Sequence, residues 1–223
     1  MLQAIAHVLP VALAMAISSV PIMATILILL SPNRRRAALP FLIGTVVGLA
    51  LVVTLTTLGA QAIPTPRSDR QPDVALGIAE LLVGVALVVF GVLRLRRSLR
   101  TAAYSMPGWL STVSSFGPWS SLGVSLLLNV RPKAILLATA AGLNIRGAEL
   151  AAGESAVVIG IYTLVAASTV AVPIVLTLAA PDRMTARLVR TREWMVRNNG
   201  SVTAVIVLLI GVVVFGYGLE SVG

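Results

Sequence analysis

The decapeptide NVRPKAILLA, residues 129–138, sets Arg131, Pro132 and Lys133 inside one of the most apolar runs of an apolar chain. In hydrocarbon each charge costs about 2.5–3.5 kcal/mol even on the lenient insertion scale, and a proline removes a backbone hydrogen bond as well. Working outward, the chain around this stretch reads as membrane throughout. Of 223 residues, 57% are hydrophobic and 11% charged, against roughly 25% charged in a soluble domain. Segments long enough to cross a bilayer, about 18–25 residues, can be drawn over 2–30, 37–58, 74–93, 121–143, 156–180 and 202–219. They consume most of the chain, so the sequence predicts an all-α polytopic membrane protein with one transmembrane domain over 1–223.

The cations sort by loop. Arg34, Arg35 and Arg36, then Arg94, Arg96, Arg97 and Arg100, then Arg183, Arg187, Arg190, Arg192 and Arg197 occupy the odd loops, while the even loops hold Arg67, Arg70 and Arg146. By the positive-inside rule the odd loops are cytoplasmic and both termini face outward. This placement accounts for the +9 net charge without a nucleic-acid partner. The N-terminal run lacks a basic leader and is about twice the length of a signal peptide's apolar core, so it reads as a retained first span.

Six spans, three per half, oblige the second half to run through the membrane upside down relative to the first, the inverted-repeat arrangement of many secondary transporters. The repeats fall at about 1–93 and 121–223, joined by a cytoplasmic linker over 94–120. A shift of 111 residues lays SSVPIMATILILLSPNRRRA (18–37) over NVRPKAILLATAAGLNIRGA (129–148), so that Pro21 meets Pro132, Asn33 meets Asn144, Arg35 meets Arg146 and Ala37 meets Ala148. Pro21 lies beside Ser18 and Ser19, and Pro132 beside Asn129, Arg131 and Lys133. Two interrupted helices, spans one and four, are expected to break near the midplane, where freed backbone groups line a cavity. Either proline alone is equally well an ordinary kink.

The third span carries Glu80 among Gly77, Gly84 and Gly91, all on one helix face. Small residues admit a neighbouring helix, which turns Glu80 into the bundle. There it is either a carboxylate with a raised pKa suited to proton coupling, or the ion-pair partner of Lys133 or Arg131. Gly44 and Gly48 offer the same close approach in span two. Residues 101–120 set Tyr104, Trp109, Phe116 and Trp119 among small polar residues and prolines, as in a segment at headgroup level. Further on, Arg183, Arg187, Arg190 and Arg197 lie opposite Met184, Leu188 and Met195, with Asp182 as N-cap. This reads as a basic amphipathic helix on the inner leaflet, either recognising anionic headgroups or anchoring topology.

Lys133 is the single lysine of the chain. A desolvated lysine adapts its charge where arginine does not, so Lys133 either touches substrate or a coupling ion, or sits in a structural ion pair; Arg131, on another face, either joins it or snorkels. The chain has no cysteine and His7 is its one histidine, which supplies neither a metal site nor a nucleophile-base pair. With no phosphate-binding loop either, no cofactor, no metal and no enzymatic role are expected.

The run SSVPIMATILILLSPNRRRAALPFLIGTVVGLALVV, followed by MPGWLSTVSSFGPWSSLGVSLLLNVRPKAILLATAAG, resembles the glycolipid-addressing family of actinobacterial membrane proteins, which includes the sulfolipid-addressing proteins and is grouped with the lysine exporter superfamily. Pro132 and Lys133 match the family's Asn-Pro-Lys motif directly. Asn129 stands two residues too early to match it in register. Pro107, Gly108 and Trp109 resemble its tryptophan motif, and Ser19 and Pro21 its polar-proline element. The resemblance implies a bacterial inner-membrane protein that moves glycolipids or lipid-linked sugar precursors toward the cell envelope. In that setting Lys133 and Arg131 would attract an anionic headgroup, Ser18, Ser19 and Asn129 would donate hydrogen bonds, and Glu80 would balance charge or carry a proton. Trp109, Trp119, Arg183, Arg187 and Arg190 would gather lipid at the inner face. A small-solute exporter remains open, as does an accessory subunit docking by its glycine faces onto larger lipid-transport or envelope-synthesis machinery, or onto a second copy.

Overall fold

The computed structural model describes residues 1–61, 116–148 and 150–222, with isolated positions between 81 and 96. Regular structure among the described residues is helical, with no strand. Seven helices have described bounds: α1 (Leu2–Ala16), α2 (Ser19–Leu30), α3 (Arg34–Gln61), α4 (Pro118–Leu128), α5 (Pro132–Gly147), α6 (Ala152–Ala179) and α7 (Pro181–Val222).

Two of them, α3 over Arg34–Ala60 and α6, are long and apolar enough to cross a membrane unaided. Two more candidate spans arise if α1 with α2, bent by 51°, and α4 with α5, bent by 61°, each count as one. The protein is therefore a helical membrane protein with two to four candidate spans among the described residues. These four match the expected segments 2–30, 37–58, 121–143 and 156–180. The segment 74–93 falls largely outside the described residues, and 202–219 lies within α7, where Ala204–Val213 is apolar.

Local chemistry explains the starts. Pro118 opens α4 at its first position after an extended Gly117, where a missing N–H costs nothing; residues 118–120 are thus helical, which shortens the linker expected over 94–120. Glu154 accepts from the Ala151 N–H at 3.3 Å to cap α6. Buried hydroxyls stay satisfied by turning back onto their own helix: Thr25, Thr45, Thr57, Thr163 and Thr177 each donate to the carbonyl four residues earlier at 2.6–2.8 Å. On α3, Leu39, Ile43, Val47, Leu51 and Leu55 recur every fourth residue and are all exposed, a stripe that belongs against lipid.

The chain divides into two compact units, Met1–Ile63 with Ser105–Val196, and Pro64–Tyr104 with Arg197–Gly223. In the first, one apolar cluster joins Met23, Ala24 and the 26–29 run of α2 to Phe41 of α3, Leu128 of α4, Val170 and Ile174 of α6, and Leu188 and Met195 of α7. Here α3 packs against α2, α4, α5 and α6, and α6 packs against α1 and α2. Glycines set several of these approaches. A Cβ on Gly44 would stand 2.8 Å from the Leu122 carbonyl, and one on Gly142 2.8 Å from the Thr57 nitrogen. In the second unit, a Cβ on Gly84 would come within 2.7 Å of the Phe215 nitrogen, and one on Gly91 within 3.1 Å of Leu208. Two of the three heptad-spaced glycines thus do admit a helix; Gly77 and Glu80 lie outside the described residues.

The amphipathic stretch of α7 differs from expectation in two ways. The helix begins at Pro181, so Asp182 is inside its first turn and not its N-cap. Its apolar side chains Leu188 and Met195 are buried in the protein's own core, while Arg183, Arg187, Arg190 and Arg197 are exposed. The apolar face covers neighbouring helices, because burial against them removes it from both water and lipid.

Candidate functional site

The last four carbonyls of any helix lack partners within it, and at the end of α4 all four are satisfied by the next three residues. The Asn129 amide nitrogen donates to Ser125 O at 2.9 Å, its backbone N–H to Leu126 O at 3.0 Å, the Val130 N–H to Leu127 O at 3.1 Å, and Arg131 Nε to Leu128 O at 2.8 Å. Arg131 is extended, with φ −70° and ψ 149°, as a residue before proline prefers. Pro132 then opens α5. The break is a capped helix end followed by a fresh helix start.

This geometry corrects the expected part of proline. The breaks fall at Ile17 and Ser18 and at 129–131, ahead of Pro21 and Pro132, which occupy the third and first positions of the following helices. An N–H there has no intrahelical partner in any case, so neither proline incurs the mid-helix penalty. Pro10, Pro40 and Pro173, by contrast, sit inside helices that continue past them.

Asn129 is 95% buried, and its amide nitrogen also lies 3.5 Å from the Thr45 carbonyl of α3. It fits because Gly48 faces it: a Cβ there would be 2.6 Å from that nitrogen. The amide nitrogen therefore pins α4 to α3. Arg131 and Lys133 are half-buried. The Arg131 bond uses Nε alone, so the outer fork of the guanidinium takes no part in it. Lys133 stands in the first turn of α5, where it engages another group of the chain. Both cations sit at the helix end whose dipole is already positive.

At the first break, Ser18 is buried and extended, with φ −99° and ψ 115°, and Ser19 and Pro21 are half-buried. The Ile17 N–H bonds Leu13 O at 3.0 Å, and the terminal Ala16 carbonyl accepts from the Thr169 hydroxyl of α6 at 2.7 Å. Val20 and Ile22 after the first break, and Leu128 before the second, join the same apolar cluster, and α1 packs on α5. The structure thus brings the apolar shoulders of the two breaks together.

Of the other expected residues, Trp119 is 84% exposed in the first turn of α4 and the α7 arginines point outward. Trp109 and Glu80 lie outside the described residues. Among the described residues no three His, Cys, Asp or Glu side chains gather as metal ligands. Two residues escaped the sequence reading. Thr169 closes the first break, and no local pattern marks it. Tyr162, fully buried in α6, carries a hydroxyl with no hydrogen-bond partner among the described residues; a phenol in the middle of a 28-residue apolar helix was the available signal.

No curated protein and no solved structure matches the chain. A family does: the one described as Sap, sulfolipid-1-addressing protein, matches residues 8–220, nearly the whole length on which these breaks are built, and the chain belongs to that family.

Proposed function

We propose that the protein exports or flips an anionic glycolipid, or a lipid-linked sugar precursor, from the inner leaflet of the bacterial plasma membrane toward the envelope, with the headgroup passing the break between α4 and α5. The observation that carries this reading is the placement of two cations at the start of a helix there. Arg131 and Lys133, both half-buried, stand at the N-cap and in the first turn of α5, where the helix dipole adds to their charge, a setting suited to a phosphate or sulfate oxygen. The description of the family, which names sulfolipid addressing, points to the same class of cargo. The activity is transport and needs no covalent chemistry.

The same reading takes the protein as six spans in two inverted three-helix repeats, with both termini outside. Each half has a bent pair followed by a 28-residue helix. The long helix of each half packs on the bent pair of the other, α3 on α4 and α5, α6 on α1 and α2. That exchange is what a pseudo-twofold relation between the halves requires, and it supports the reading.

The test compares surface-extractable with cell-retained lipids by mass spectrometry in a deletion strain complemented with wild type or Lys133→Ala at matched protein levels. One glycolipid class should accumulate in the cells and return to the surface with wild type alone. An unchanged lipid profile would reject the glycolipid reading and leave efflux of a small solute as the activity to measure.

A further inference from the structure

Between α3 and α4 runs an apolar groove of about 400 Å3, within the range of small-molecule sites, about 300–1,000 Å3. Gly48 and Gly123 line it together with Leu51, Leu55, Leu127 and Val130, the four wall residues. The two helices run in the same direction, since Gly44 faces Leu122 and Gly48 faces Asn129. Packing explains Gly48, whose missing side chain admits the Asn129 amide. It does not explain Gly123: a Cβ there would meet nothing within 4 Å. An interior helical glycine is less favourable than alanine, and this one leaves a space that no described residue fills.

The four wall residues are 53–70% exposed, and this face belongs to helices that cross the membrane, so hydrocarbon is what reaches it. The groove also has a direction. Its lining runs along α4 and ends just beyond it at Val130, which stands in the chain between Asn129 and Arg131 and three residues before Lys133. An apolar trough whose last lining residue adjoins Arg131 in the chain matches the two-part chemistry of an amphiphile. We infer that the groove seats one acyl chain of the lipid whose headgroup occupies the α4–α5 break. The seat deepens the export reading and rests on it for the nature of the headgroup. The groove would hold the tail beside the protein while the headgroup crosses, so recognition extends to both ends of the cargo.

The purified chain, reconstituted in phosphatidylcholine vesicles, is photolysed with a trace of phosphatidylglycerol or phosphatidylcholine bearing a diazirine on one acyl chain, and adducts are mapped by mass spectrometry. The phosphatidylglycerol probe should label the wall residues several-fold more than Leu39 and Ile43, which are equally exposed on the same helix away from the groove. Gly123→Leu, whose side chain enters open space, should bring groove labelling down to that background without lowering the melting temperature. Equal groove labelling by the two probes supports the seat and overturns the anionic-headgroup reading. Labelling no stronger than at Leu39 and Ile43, or unaffected by Gly123→Leu, overturns the seat whichever headgroup the probe carries.

Discussion

Gly48 leaves the room that the Asn129 amide occupies, and the pair can be tested as a unit. Gly48→Ala would overpack this contact and cost about 1–3 kcal/mol; Asn129→Ala would strip hydrogen bonds from Ser125 and Thr45 at a cost of about 1–3 kcal/mol. Thermal unfolding in detergent should show the double variant losing clearly less than the two single losses combined, and strict additivity would refute the contact. Tyr162 makes the opposite case. Its buried hydroxyl lacks a partner among the described residues, so Tyr162→Phe should raise stability by about 1 kcal/mol; a fall would mean that the hydroxyl binds something. At this scale the sequence disclosed which residues were unusual but not what they bond. Asn129, Arg131 and Lys133 stood out as polar groups in an apolar run. That Asn129 faces inward follows from Gly48, 81 positions earlier, and no local pattern connects the two.

The prolines were legible as a pair, through the alignment of Pro21 with Pro132, but their mechanism was not. Five prolines fall within helices α1, α2, α3, α5 and α6, and only the two in opening turns follow a break. What ends a helix here is an alternative set of partners for its last carbonyls. Pro132→Ala should therefore leave the 61° bend in place, because Asn129, Val130 and Arg131 still cap α4. Native cysteines are absent, so spin labels at Leu122→Cys and Ala140→Cys can read the bend directly. An unchanged distance is expected, and a lengthening toward a straight helix would restore the proline as its cause. The amphipathic pattern of α7 was readable as a pattern, whereas the surface its apolar face covers was not, since lipid and a neighbouring helix present the same hydrocarbon to Leu188 and Met195.

For the whole molecule, hydropathy located four of the candidate spans within a few residues, because a bilayer imposes a length that a sequence must display. The way the halves exchange their long helices left no such mark. Orientation is open to direct measurement: an impermeant maleimide should label Leu2→Cys in intact cells and Asn33→Cys only after permeabilisation, and the reverse pattern would invert the proposed topology. The two breaks also differ in when each is completed. The cap of α4 is finished by residues at most four positions away, so it is whole as soon as that stretch is made. The Ala16 carbonyl bonds Thr169, 153 residues downstream, and at ~5–20 residues per second of synthesis it waits roughly 8–30 s. During biogenesis the first break is thus an unfinished joint in the membrane, open to water or to the insertion machinery until α6 arrives to close it.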